Sequence, residues 1–511
     1  MKKLPVLFLA LALVPFGAFA APSTLVYGTT EKLTDLDTGS SWDFHTWEYF
    51  QNISEGLLTY APGTTTLVPG LAEKYTVNTA GDEYTFTLRK GLKFSNGDVL
   101  DANVIKWSVD RVVALKGDPE SLISSYVDTV TVKDPLTVVF KLKLPAAYFP
   151  SLVATPPYFP TDPKVYPADK LIKDPSELVG GAYVGAGAYK LVSYKRDQEA
   201  VFEANPNFHG DKAKVDRVII RYFADATTLR LALDKGEIDL AYKTLNPSDI
   251  VDESKNTKIN TLKLDGAFIR YVAFETSESV FKDKSLRQAF SYLVNRPEII
   301  QKVYLGQNKP LYSMIPNGMA GQVNTFKGIE ANVAKADALL KKAGYTKDKP
   351  FEFDLWYTTS HYGDTEINQA EVLKAQLEKS TLVKVTLKSA EWATYKTQWK
   401  KKQMPVFLLG WYPDYIDPDD YTAVFTRTED SVGMGINFSD KAWDALYAQE
   451  GASVDPKIRL AAFKKLQELW AVDAPTIPLW QGDLFVFTKK NVGGVKIGPT
   501  LIFNYNQLTI K

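Results

Sequence analysis

The chain of 511 residues contains no cysteine and only three histidines, His45, His209 and His361. Without cysteine there is no disulfide framework, no thiolate metal site and no catalytic thiol. The residue that would carry a lipid anchor behind a leader is missing too. No H-E-x-x-H, G-x-S-x-G or phosphate-binding loop is present. Charge of one sign is not in excess: 60 Lys+Arg stand against 60 Asp+Glu, so nothing favours nucleic acid. Beyond the first twenty residues, no apolar run is long enough to span a bilayer.

What is present begins with "MKKLPVLFLALALVPFGAFA". Two lysines, an apolar run and Ala18-Phe19-Ala20 before Ala21 form the pattern of a cleaved signal peptide over residues 1–20. The run is short for a membrane span and holds Pro15 and Gly17. An exported chain without an anchoring cysteine is expected free in solution. Such a protein is useful where a second membrane retains it, which points to the periplasm. The remainder exceeds one compact core, so two or three domains are expected.

Strand and helix patterns alternate, which predicts α/β architecture. "EYTFTLRKGLKFSNGDVL" alternates apolar and polar residues and turns at Asn96-Gly97. "DANVIKWSVDRVVALK" starts a helix with Asp101 as its N-cap. "TVTVKDPLTVVFKLKLP" reads as a strand pair around Asp134-Pro135, and proline crowds residues 145–175. "NVAKADALLKKAGY" is a helix stopping at Gly344. "DPKIRLAAFKKLQELWAVDAP" is another, with Asp455 as N-cap, Pro456 at N1 and an apolar stripe of Leu460, Phe463, Leu466 and Trp470.

Two stretches concentrate aromatic rings and acids. "GWYPDYIDPDD", from Gly410 to Asp420, carries four carboxylates and three aromatics. Calcium would need a glycine at the sixth position of an EF-hand loop and an acid at the twelfth. Counted from Asp414, those positions are Asp419 and Phe425. Glycosidase chemistry would need a second carboxylate across a sugar. Binding of a cation is the third reading and the favoured one. "SSWDFHTWEYF", residues 40–50, packs five aromatics around His45.

Several blocks, in this order, resemble the extracytoplasmic solute-binding proteins of ABC importers, family 5, the oligopeptide- and dipeptide-binding type. They are "YTFTLRKGLKFSNGDVLDANVIKWSVDR", "GAGAYKLVSY…NPNFHGDKAKVDRVIIRYFADATTLRLALDKGEIDLAY", "SLRQAFSYLVNRPEIIQKVYLGQ", "KADALLKKAGY" and "GWYPDYIDPDDY". Ala188 stands where the family usually has proline. The resemblance implies a two-lobed periplasmic binding protein (class II, cluster C type) with an extra domain inserted in the first lobe and a two-strand hinge. Domain I would comprise 22–60, 178–264 and 485–511, domain II 61–177, and domain III 265–484.

The resemblance also implies a role for the loop. In peptide-binding relatives an aspartate there receives the ligand's α-ammonium group; the matching residue is Asp414, with Trp411, Tyr412 and Tyr415 as walls. The equivalent of residues 40–50 lines the cleft, which makes Trp42, Asp43 and His45 candidates for ligand contact. Asp417 is expected to be a turn or cap residue. Asp419 and Asp420 are expected as first-turn helix acids or solvated charges. A basic residue near 357–369 meets the peptide carboxylate in relatives. Here "YTTSHYGDTEINQ" offers His361 and neither arginine nor lysine, which implies a longer ligand or a neutral tail. The implied partners are a peptide, or in sugar-binding members an oligosaccharide, and the transmembrane subunits of an ABC permease. A monomer without cofactor or metal is expected. Nickel or haem delivery is disfavoured, since such chelates are met with histidine or arginine. The alternative of another class is a secreted glycoside hydrolase using Asp414 and a second acid.

Overall fold

The computed structural model describes residues 22–33, 35–242, 245–359, 361–363 and 365–511. Residues 1–20, expected to be a signal peptide, lie outside the described residues. Two apolar cores organise the chain. One gathers residues from Leu25 to Tyr242 with Tyr415 and the C-terminal Phe503 and Tyr505, and the other runs from Ala267 to Trp480. Phe268 packs against both.

An eleven-stranded mixed sheet runs through both halves. Its two longest members, Ile259–Phe274 and Thr476–Lys489, pair antiparallel side by side. Their lengths, 16 and 14 residues, far exceed the usual five or six. Each therefore serves both cores. The register holds from Ile259↔Lys489 to Asp265↔Asp483, breaks, and resumes at Ile269↔Gln481. The break has a packing cause. A Cβ on Gly482 would lie 1.8 Å from the Phe268 ring, and one on Gly266 would lie 2.6 Å from the Gly482 carbonyl. Only glycine admits so close an approach.

A separate four-stranded antiparallel sheet is built from Ala72–Val77, Glu83–Leu88, Val127–Asp134 and Thr137–Leu142. The Ala102–Leu115 helix covers it, capped by Asp101, which accepts from the amides of Asn103 and Val104. The turn at Asn96-Gly97 forms, with Gly97 at φ +94° and Lys93 bridging Val99. Arg111 of this helix reaches Asp37 with two hydrogen bonds of 2.8 and 2.7 Å, both side chains buried. That pair fixes the segment leading into Trp42.

The Val333–Lys342 helix is followed by Gly344 at φ +91°. The Pro456–Asp473 helix is capped by Asp455. Its expected apolar stripe is shorter than the spacing suggests. Phe463, Leu466 and Trp470 are buried, but Leu460 is 38 % exposed, because the first turn runs along the surface with Ile458 also exposed.

Candidate functional site

The Val406–Trp411 strand delivers the acidic loop. It is central in the second core, pairing with Ile259–Phe274 so that Gly410 faces Arg270 and Trp411 faces Ile269. The loop then bends through Pro413 and closes in a 3-10 turn at Pro418–Tyr421.

The four carboxylates separate into distinct environments. Asp417 caps the turn, accepting from the Asp419 amide at 3.0 Å. It also pairs with Arg459 through two hydrogen bonds of 2.9 and 2.7 Å, and Arg459 holds Glu450 at 2.8 Å. Asp419 and Asp420 are first-turn acids but not solvated ones, since both are buried. Tyr415 donates to Asp419 at 2.6 Å. Asp420 accepts from Trp411 Nε1 at 3.1 Å and from the Asp414 amide at 3.2 Å. The loop's own rings cover these acids. Burial, then the neighbouring Asp414 charge, pushes the Asp420 carboxyl well above its ordinary range.

Asp414 differs. It is partly buried, and its Oδ1 accepts from Trp42 Nε1 at 2.7 Å. Burial pushes its carboxyl up to about 7, with the Trp42 hydrogen bond opposing. Among the described residues no cation is paired with it. The Trp42 contact joins the two cores across 372 residues of sequence. Neighbouring contacts do the same. Ile416 donates its amide to Tyr60 Oη at 3.3 Å and accepts from Ser151 Oγ at 3.4 Å. Tyr415 stacks on Tyr148 with centroids 5.7 Å apart. The Ala147 amide donates to the Gly451 carbonyl at 3.0 Å.

Between these contacts lies a cavity of about 30 Å³, lined by Phe44, Trp47, Gln51, Pro156, Asp414 and Tyr415 among others. That is room for about one water. The contacts between the cores leave no larger space here. A larger recess of about 620 Å³, walled by segments 254–262 and 488–495, shares no residue with it.

The expected site residues distribute unevenly. Trp42, Tyr412, Asp414 and Tyr415 come together. Tyr412 lies between Phe44 at 4.9 Å and Phe268, on which it stacks at 5.2 Å. Trp411 stands behind, edge-on to Phe425. Asp43 caps the Phe44–Ile53 helix, accepting from the Thr46 amide at 2.9 Å and Ser41 Oγ at 3.1 Å. His45 is buried, edge-on to Tyr49 and Tyr222, with Nδ1 3.7 Å from Glu31. His361 stands apart. It is exposed but stacks at 3.8 Å on Trp392, and that crowding together with Arg270 holds it down to about 4. It is therefore uncharged at neutral pH.

Several residues of the site carry no local sequence signal. Leu501 and Ile502 line the cavity from the C-terminus, and Pro156 from the proline-rich stretch. The Arg270–Glu366 ion pair, fully buried, joins a strand to the Thr365–Leu377 helix. Tyr362 lies 3.4 Å over its guanidinium and accepts from the Gly410 amide at 2.9 Å. No described helix is long and apolar enough to cross a membrane, and no group of three or more metal-ligating side chains is found among the described residues.

A model of the bacterial extracellular solute-binding proteins, family 5 (middle region), matches residues 66–432. The chain is 27% identical to the dipeptide-binding protein of Escherichia coli (strain K12) over 543 residues, covering 100% of this chain and 99% of the relative. Its fold is similar to the periplasmic binding protein DppA of Helicobacter pylori in complex with the peptide STSA, with TM-score 0.82, 22% identity and coverage of 95% and 98%. It is equally similar to a dipeptide-binding protein of Pseudoalteromonas sp. SM9913 in complex with Met-Leu, with TM-score 0.82, 20% identity and coverage of 96% and 100%.

Proposed function

The chain belongs to the bacterial extracellular solute-binding proteins of family 5, and from that premise we propose that it captures peptides between two lobes and delivers them to an ABC permease. The observation that carries this reading is Asp414. Its carboxylate borders a cavity between the cores and has an indole donor but, among the described residues, no cation. An ammonium group brought out of water needs such a carboxylate, and the pair forms charge-assisted hydrogen bonds. The dipeptide-binding relative and the two peptide-bound structures support the peptide class.

The protein is read as a monomer of the periplasm, exported by residues 1–20, not lipid-anchored, and carrying out no chemistry. Lobe one is assigned to 22–60, 178–264 and 485–511, its insertion to 61–177, and lobe two to 265–484. Tyr412 and Tyr415 wall the site from one lobe and Trp42 from the other. Trp411 supports Asp420 behind them. Asp43 and His45 shape the cleft through the helix at whose start they lie, and His361 is read as a further ligand contact from the second lobe. Closure is a rigid-body rotation about the two long strands.

Calorimetric titration tests this. Peptides of two to six residues, free and N-acetylated, are titrated with cello-oligosaccharides alongside. Free peptides should bind and acetylated ones should lose at least about 30-fold, the lower end for a desolvated partner lost. Binding of the sugars but of neither peptide set would overturn the role of Asp414.

A further inference from the structure

A peptide carries two charges, and the site meets them unequally. The residues lining the cavity include two carboxylates, Asp414 and Glu48, and no lysine, arginine or histidine. Three cations around the loop are engaged by acids of the protein itself. Arg459 holds Asp417 and Glu450, Arg427 holds Asp430 at 2.5 Å, and Lys309 at the strand crossing holds Asp265 and Asp483.

Arg270 is the informative case. A Cβ on Gly410 would lie 2.8 Å from Arg270 Nη1, so the guanidinium presses on the root of the loop. Its Nη2 pairs with Glu366, while Nη1 and Glu366 Oε1 are buried without hydrogen-bond partners. The pair is thus neutral and incompletely satisfied, where a free guanidinium would otherwise attract an anion.

We propose that this site recognises its ligand through the ammonium end alone, and that Glu366 sets this specificity by occupying Arg270 as an internal carboxylate. The proposal rests on the peptide reading above. A ligand carboxylate drawn into the cavity would find no cation among the residues lining it, and burying it unpaired is costly; Lys396, over the Trp392 ring at 5.7 Å, is exposed to water. The ligand carboxylate therefore stays in water, and the ligand's far end is read neither by charge nor by length. Peptide amides and other primary amines with neutral tails belong to the same substrate class.

The test compares one tripeptide as free acid and as C-terminal amide, by calorimetry on the full mature chain. In the wild-type protein the two should bind within about threefold of each other. Preference for the free acid by tenfold or more overturns the proposal. Glu366→Gln should release Arg270 and raise the acid-over-amide ratio at least fivefold, whereas Glu366→Asp should keep the wild-type ratio. An unchanged ratio in a folded Glu366→Gln protein removes the role of Glu366. If that variant does not fold, the wild-type ratio still decides. Failure of both tripeptides to bind would instead sink the peptide reading, and is told apart by the absence of any heat.

Discussion

The two ends of one short loop use the same side chain in opposite ways. At its C-terminal end, Asp417 is buried beside Arg459, and the ion pair extends to Glu450. Near its start, Asp414 is left with an indole hydrogen bond and, among the described residues, no cation. The first arrangement is complete within the protein. The second is complete only when something positive arrives. The partner of a carboxylate, more than its burial, decides whether it holds the fold or awaits a ligand.

Breaking the completed end should have the largest effect. Arg459→Met leaves Asp417 and Glu450 buried without their counter-ion, and removing one partner of such a pair costs about 3–5 kcal/mol. Urea unfolding of the empty protein should show it as a lower midpoint. A loss under about 1 kcal/mol would mean that the two ends do not differ in kind.

Asp414→Asn should do the reverse. Affinity for a free-amine peptide should fall by about 2–5 kcal/mol, with the unfolding midpoint unchanged or raised. The pH dependence sharpens the contrast. In the empty fold the Asp414 carboxyl titrates at about 7, against 3.8 ordinarily. The folded state then binds more protons than the unfolded state between those values, so stability from this group falls as pH rises through that window. The ligand's ammonium needs the ionised form. Affinity should therefore climb up to tenfold per pH unit towards 7 and then level off. A flat profile for the wild type between pH 5 and 7, or a sloped one for Asp414→Asn, would contradict the assignment.

Trp42→Phe should have the smallest effect. One hydrogen bond to the carboxylate is lost, about 1 kcal/mol or about fivefold in affinity. Because that bond lowers the Asp414 pKa, the midpoint of the affinity profile should move above 7. A downward move would show that the indole does not act through Asp414.

Local chemistry made much of the framework legible. Caps such as Asp101 and Asp455 and the Asn96-Gly97 turn act over four or five residues, and each formed where its spacing placed it. The family blocks carried the two-lobed architecture. The environment of each carboxylate was not legible in the same way. Asp417 and Arg459 are 42 residues apart, Trp42 and Asp414 are 372, and Arg270 and Glu366 are 96. No window of sequence contains such a pair. Asp419 and Asp420 were half legible: their position in a first turn was readable, but not that Trp411 and Tyr415 of the same loop fold over them.

The crowded glycine at the strand crossing has an optical consequence. The Phe268 ring fills the space where residue 482 has no side chain, and it stands edge-on to Trp480 at 6.1 Å. Trp480 is itself held by a 2.6 Å hydrogen bond to Gln369. Any change in the angle between the long strands displaces the ring from one face of an anchored indole. Under the closure proposed above, Trp480 is an intrinsic fluorophore beside the pivot, and its emission should report the lobe angle without a label.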